Sequence, residues 1–266
     1  MPPSKKAAVK PDTSGSWVET VKTLVYALLI ALAVRTVAFE PFNIPSGSMI
    51  PTLLVGDFLF VSKYTYGYSR YSIPFSPPLF GWSKTGRIMG SFPTRGDVVV
   101  FRNTRDTSQD WVKRVIGLPG DHIQVKQGLL YINGTQLPRD PVGDYEAPDG
   151  SGTRVLAKEY IETLPNGVKH PILKYSDEDR FDIGSEVDAN NTTDYVVPDG
   201  DLFMMGDNRD NSMDSRFQNA LGFVPLENVV GRAQFIFFSF DAVYPWWQIW
   251  RWPGEVRWSR LLQGIH

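Results

Sequence analysis

The 266-residue chain has no cysteine. Disulfides, thiolate metal sites and a thiol nucleophile are therefore excluded, while the redox character of the compartment stays open. Histidine is scarce, with only His122, His170 and His266. A Ser-His-Asp mechanism or a multi-histidine metal site would have to draw on these three, and none stands in a catalytic pattern. His122 follows a Gly-Asp turn at an expected strand start, and His266 is the last residue of the sequence. Proton transfer is thus expected to fall to another residue type. The formal net charge is −2, which gives no basic footprint and argues against nucleic acid as a partner. Internal repeats and heptads are absent, and long apolar runs are limited to one near the amino end.

That run lies in residues 17–39, where Leu24-Val25-Tyr26-Ala27-Leu28-Leu29-Ile30-Ala31-Leu32-Ala33-Val34 continues past Arg35 to Phe39. A bilayer span needs roughly 20 such residues. Arg35 is close enough to one end to snorkel. Lys5, Lys6, Lys10 and Lys22 precede or open the run, so the positive-inside bias keeps the amino end cytoplasmic and sends everything after it outward. A cleavable signal peptide ending at Ala31-Leu32-Ala33 is the competing reading. The apolar character continues beyond Ala33, and no polar extended segment presents that site to a protease. A single-pass anchor is expected, preceded by a disordered, Lys/Pro/Ala-rich segment over 1–16.

The remainder reads as mostly β. Phe58-Leu59-Phe60-Val61, Val98-Val99-Val100-Phe101 and Trp111 to Ile116 are short apolar or alternating runs bounded by turns. His122 to Val125 and Leu129 to Ile132 follow, with Asn133-Gly134 as a strong turn signal, and Phe235 to Phe238 closes the series as a late strand. Residues 72–92 form a Pro/Gly/aromatic loop whose apolar residues (Pro74, Phe75, Leu79, Phe80, Trp82) suit a bilayer surface or a substrate groove. The polar, Gly/Pro/Asp-rich stretch 138–197 reads as a subdomain inserted between a first core part, 40–137, and a second, 198–241. The tail, 242–266, mixes Trp246, Trp247, Trp250, Trp252 and Trp258 with Arg251, Arg257 and Arg260, a composition shared by membrane-interface segments and buried aromatic clusters.

The chemistry concentrates around Asn43-Ile44-Pro45-Ser46-Gly47-Ser48-Met49-Ile50-Pro51-Thr52. Proline fixes φ and biases the preceding residue toward extended geometry, so Ser46-Gly47-Ser48 is a short stiff turn and not a helix. Such a turn presents hydroxyls and N–H groups in set directions, which acyl transfer requires, although a Pro/Ser/Gly cluster alone is an ordinary loop. Lys113 shares a strand face with Trp111 and Val115. An ammonium held against apolar neighbours loses hydration and part of its basicity, and the neutral amine can take a serine proton. On an edge strand the same lysine would simply be solvated. Ser212 and Asp214 sit in Gly206-Asp207-Asn208-Arg209-Asp210-Asn211-Ser212-Met213-Asp214-Ser215-Arg216, a turn that by default satisfies its own backbone. Arg209 at the second ligand position breaks a calcium-loop pattern, so no metal and no other cofactor is expected.

Four segments, in order, resemble the bacterial type I signal peptidases, membrane-anchored Ser/Lys proteases. They are Pro45-Ser46-Gly47-Ser48-Met49-Ile50-Pro51-Thr52 with Gly56-Asp57, then Arg95-Gly96-Asp97-Val98-Val99-Val100-Phe101, then Lys113-Arg114-Val115-Ile116-Gly117-Leu118-Pro119-Gly120-Asp121, then Gly206 to Ser212 with Asp214 and Arg216. The resemblance implies a β-rich catalytic core with an inserted β subdomain on the membrane anchor. It implies Ser48 as nucleophile, Lys113 as general base, and the Ser46 hydroxyl with the Ser48 N–H as oxyanion donors. Ser212 is similar to the serine that orients the lysine. Asp214 with Arg216, and Asp207 with Arg114, resemble bracing ion pairs. The implied partners are signal peptides of exported preproteins, cut after small residues at A-x-A-like sites, and membrane lipid. The implied place is the bacterial cytoplasmic membrane, with the catalytic part on the periplasmic side. Some members carry two amino-terminal membrane segments where this chain offers one.

Other readings fit less well. Lys84-Thr85-Gly86 superficially offers the K-T-G element of penicillin-binding enzymes, but no lysine in the chain has a serine three positions before it. A self-cleaving repressor-type protease would need no anchor. A catalytically silent, tethered peptide-binding β domain would leave every motif as turn chemistry.

Overall fold

The computed structural model describes residues 16–73, 86–148, 154–175, 188–241 and 252–266. Most of the aromatic loop, Lys84 and Thr85, residues 1–15, and Trp246, Trp247 and Trp250 lie outside the described residues. The apolar run forms a helix, Ser16–Val37, of 22 residues. Its segment Trp17–Val37 is long and apolar enough to cross a membrane, and among the described residues its apolar stretch is not buried against the rest of the chain. Thr23 and Thr36 donate their hydroxyls to the Glu19 and Leu32 carbonyls one turn back, so these polar groups need no water. The helix stops short of the expected Phe39, which already belongs to the first strand, Phe39–Asn43. The Pro41 ring biases Glu40 to extended geometry, and the Phe39 ring packs against Phe60 and Tyr64. Arg35 on the last helical turn pairs with Glu40 at 2.9 Å, and Lys63 reaches the same carboxylate at 2.8 Å. The helix therefore enters the β domain with almost no linker.

An antiparallel seven-stranded sheet carries the site. Its order is Phe39–Asn43, Asp57–Ser62, Val229–Ser239, Val98–Arg102, Asp110–Gly117, Asp201–Met205 and Val224–Pro225. The late strand is much longer than the four residues read from the sequence, because it spans both Asp57–Ser62 and Val98–Arg102. Val98 and Val100 face one apolar cluster, with Leu59, Val61, Val230 and Ile236, while Val99 and Phe101 face a second, with Val115, Met204 and Leu226. Burial on both faces explains why this strand is continuously apolar and does not alternate.

Arg139–Pro148, Arg154–Thr163 and Lys169–Lys174 form a separate antiparallel sheet inside the inserted stretch. The last part of that stretch behaves differently. Tyr195–Val196 pairs with His122–Lys126, in a four-stranded sheet completed by Leu129–Ile132 and Thr135–Gln136. The Asn133-Gly134 turn has positive φ at both residues, 52° and 76°, as a tight hairpin requires.

The serine stretch is the excursion between the first two paired strands, closed by Ile44 N–H to the Asp57 carbonyl and Gly56 N–H to the Ile44 carbonyl, both at 2.9 Å. Gly56 has φ of 87°, and a Cβ there would lie 2.0 Å from the Phe240 carbonyl oxygen, so only glycine fits. Asp57 fastens this closure. Its buried carboxylate accepts from Leu54 N–H at 2.8 Å, Ser239 Oγ at 2.6 Å, and Arg260 Nε and Nη2 at 3.0 and 2.5 Å. Arg257 donates to the Val55 carbonyl at 2.9 Å. These two arginines, grouped by composition with the tryptophans, thus turn inward onto the serine excursion, whereas Trp258 stands 66% exposed. Removing one partner of a buried charge pair leaves the other uncompensated. Asp57→Ala is expected to cost about 3 kcal/mol or more of stability, read by urea unfolding of the detergent-solubilised chain.

Candidate active site

Ser46 is extended, with φ −128° and ψ 155°, and Gly47–Met49 makes one tight turn closed by Ile50 N–H to the Gly47 carbonyl at 3.2 Å. Met49, Ile50 and Leu53 are buried beneath it, so the turn is seated by its apolar residues while Ser46 stays exposed and Ser48 half-buried. The Ser46 and Ser48 hydroxyl oxygens are 3.5 Å apart.

Lys113 arrives from strand Asp110–Gly117, opposite Val99. Its Nζ donates to Ser48 Oγ at 2.6 Å across a sequence separation of 65 residues. The side chain is buried, with the Trp111 ring centroid 5.5 Å from Nζ. Burial lowers the Lys113 pKa to about 8, against the attraction of Asp214 and Asp207 and helped by repulsion from Arg216. At pH 7 such an amine is roughly one-tenth neutral, far more than an ordinary surface lysine.

The turn after strand Asp201–Met205 supplies the surrounding charges. Arg216 clasps Asp214 through Nε and Nη2 at 2.8 and 2.9 Å, and the same carboxylate accepts Gly206 N–H at 3.1 Å. Arg114 clasps Asp207 at 2.8 and 2.7 Å, and Thr52 Oγ1 donates to it at 2.5 Å. Burial pushes both carboxyls up, but the facing guanidinium overrides it in each case and holds them well below the usual carboxylate range. Ser212 is brought to the same place. A Cβ on Gly206 would come within 2.2 Å of Ser212 Oγ and 2.5 Å of the Ser48 carbonyl oxygen. Ser212 Oγ is buried and has no hydrogen-bond partner among the described residues, so the implied bond to Lys113 is not formed here.

Several residues of this surround were not singled out in the sequence. His170 lies between two carboxylates, 3.3 Å from Asp207 and 3.3 Å from Glu162. Arg209 forks onto Glu162 at 3.1 and 2.5 Å. Lys174 reaches Asp210 at 2.6 Å and Asn190 at 2.7 Å. Glu162, His170 and Lys174 all belong to the inserted sheet. The charges of Arg209 and Asp210 within a buried-looking turn announce that partners exist, but nothing in the sequence says which ones.

A groove of about 600 Å³ opens over the pair, lined among others by Phe42, Ile44, Ser46, Ser48, Trp111 and Lys113. Strand Asp110–Gly117 pairs along one side with Val98–Arg102, but on the other side, among the described residues, only Arg114–Gly117 are paired, with Phe203–Met205. The edge from Asp110 to Lys113 therefore faces the groove, and an extended peptide can be added there.

The family model described as "Signal peptidase, peptidase S26" matches residues 17–238, and the chain belongs to this family. Among similar proteins, signal peptidase I of Rickettsia typhi is 41% identical over 254 residues, covering 91% of both chains. That of Rickettsia canadensis is 39% identical over 270 residues, covering 97% of both. A crystal structure of a signal peptidase I from Enterococcus faecalis V583 aligns with 27% identity and a TM-score of 0.30, covering 53% of this chain and 97% of that one.

The contact between Gly206 and Ser48 generates a test. In Gly206→Ala, the added methyl must displace Ser212 or the Ser48 backbone, and where a site carries out a reaction a misplacement near 1 Å costs about a hundredfold in rate. Peptide cleavage by Gly206→Ala is expected to fall by that order while circular dichroism stays that of the wild type.

Proposed function

We propose that the chain is a membrane-anchored endopeptidase that removes signal peptides from exported preproteins by a Ser48/Lys113 acyl-enzyme mechanism. The observation that carries this reading is the 2.6 Å contact between Lys113 Nζ and Ser48 Oγ, made by a lysine whose burial brings its pKa to about 8. In the working state the neutral amine accepts the Ser48 proton as Oγ attacks the carbonyl of the substrate's last signal residue. The oxygen of the tetrahedral intermediate takes hydrogen bonds from the Ser48 N–H and the Ser46 hydroxyl. The Lys113 ammonium returns the proton to the leaving amine. The neutral amine then takes a proton from water, whose attack on the ester releases the signal peptide while Lys113 passes that proton to Ser48 Oγ. In this reading Ser212, whose hydroxyl is buried and unengaged among the described residues, orients Lys113. Asp214 with Arg216, and Asp207 with Arg114, brace the site without touching substrate.

The substrate binds as an added strand along Asp110 to Lys113, where alternate side chains enter the groove and the two positions read by shallow pockets are small ones. The helix Ser16–Val37 leaves the groove near the bilayer surface, since Phe42 and Ile44 of the lining follow it directly. Aromatic rings on the neighbouring strands, including Phe60 and Phe237 with centroids 4.3 Å apart, extend the apolar surface beside the helix exit. With the lysine-flanked amino end inside, the catalytic domain lies on the periplasmic side, where signal peptides emerge.

Two measurements test the reading. Wild type in detergent is expected to cut a preprotein bearing an A-x-A site after the second alanine, while Ser48→Ala and Lys113→Ala leave it whole. Folded wild type that leaves the preprotein intact would move the chain to the silent peptide-binding class. The pH profile follows from the sign of the Lys113 shift. The base is the deprotonated form, so kcat/KM should climb through about pH 8 and fall about tenfold per unit below it. A flat profile on protein shown to stay folded would sink the role of Lys113.

A further inference from the structure

The geometry points to Asn208 as the residue that aims the Ser48 N–H at the oxyanion, under control of the inserted subdomain. This rests on the reading of Ser48 as nucleophile and goes beyond it by naming what sets the oxyanion donor. Asn208 is fully buried and grips the serine turn twice. Its N–H donates to the Ser48 carbonyl at 3.1 Å, and its Nδ2 donates to the Gly47 carbonyl at 3.1 Å. The Gly47–Ser48 peptide is trans, so a carbonyl drawn toward Asn208 fixes the Ser48 N–H on the opposite edge of the same plane. The constraint is needed because Gly47 has no Cβ to limit rotation of that peptide.

Asn208 is itself held from the inserted sheet. Leu173 N–H donates to the Asp207 carbonyl at 2.9 Å and Arg209 N–H to the Leu173 carbonyl at 3.0 Å, so Asn208 is clamped between two hydrogen bonds from one residue of the insert. Tyr175 Oη accepts from Asn208 Nδ2 at 3.1 Å. The flanking Arg209–Glu162 and Lys174–Asp210 pairs, at 2.5 and 2.6 Å, hold the same turn to the same sheet. A chain of contacts thus runs from strand Lys169–Lys174 through Asn208 to the Ser48 amide. Asn208 touches no substrate, and its role is positioning.

The experiment compares full-length wild type, Asn208→Ala, Asn208→Asp and Tyr175→Phe in detergent, with preprotein kinetics against pH and with binding of a peptide boronic acid ending in alanine. The boronate forms a tetrahedral adduct on Ser48 and presents an oxygen to the oxyanion donors. A mis-aimed donor acts on the tetrahedral state and not on the bound substrate. The Asn208 variants are therefore expected to lose about ten- to a hundredfold in kcat with KM nearly constant, and a similar factor in boronate affinity. The pH midpoint should stay with Lys113. Tyr175→Phe should show the same signature, smaller. Wild-type kcat in Asn208→Ala, or a kcat loss with boronate affinity intact or with a moved pH midpoint, overturns the inference. If the Asn208 variants do not fold, Tyr175→Phe decides by the same criteria. A wild type that cleaves alongside an unaffected Asn208→Ala overturns this inference alone, whereas a wild type that neither cleaves nor binds boronate overturns the proposed function with it.

Discussion

The desolvation of one ammonium group organises this site. Lys113 is buried on its strand with Nζ 2.6 Å from Ser48 Oγ, and that burial moves its pKa toward neutrality. A buried cation is costly, and nearby carboxylates could easily restore its basicity. The structure limits that effect by committing both candidates elsewhere. Asp214 is clasped by Arg216 and Asp207 by Arg114, so each carboxylate presents Lys113 with a largely neutralised pair. Arg216 in addition repels the lysine directly.

The same logic explains why so many charges are buried around the turn from Gly206 to Arg216. Arg114, Lys174, Asp207, Arg209, Asp210, Asp214 and Arg216 are all nearly inaccessible. Isolated, each would carry a severe penalty, whereas paired they interlock three pieces of chain that are far apart in sequence. Glu162, the far partner of Arg209, has its pKa held down to about 2 by Arg209 and His170 against its own burial. The inserted sheet is thus part of the frame of the site, because its last two strands supply Glu162, His170 and Lys174.

The groove and the anchor are joined by equally short connections. Residues Phe39–Asn43 belong at once to the helix exit, the sheet edge and the groove lining, and Arg35–Glu40–Lys63 ties the helix end to the domain. On the other side of the serine excursion, Asp57 collects Leu54, Ser239 and Arg260. The serine turn is therefore held at its far end by the buried Asp57 carboxylate, and from below by Met49, Ile50 and Leu53.

What the sequence by itself determined was everything carried by local pattern. The apolar run fixed the membrane-length helix, the Val98–Phe101 run a central strand, Asn133-Gly134 a hairpin, and the prolines around Ser46-Gly47-Ser48 a stiff non-helical turn. The ordered motifs fixed the family. The helix end and the length of the late strand were misjudged because Phe39 and Val229–Ser239 are set by pairing partners that no local window contains. Only tertiary structure decided which face Lys113 shows to Ser48, that Arg257 and Arg260 turn inward to Asp57, and that Asn208 and the inserted strand Lys169–Lys174 hold the serine turn. The physical reason is common to all three. A charge or amide states in sequence only that it needs a partner, and the partner is chosen by contacts between residues far apart along the chain, where burial makes an unpaired group too costly to keep.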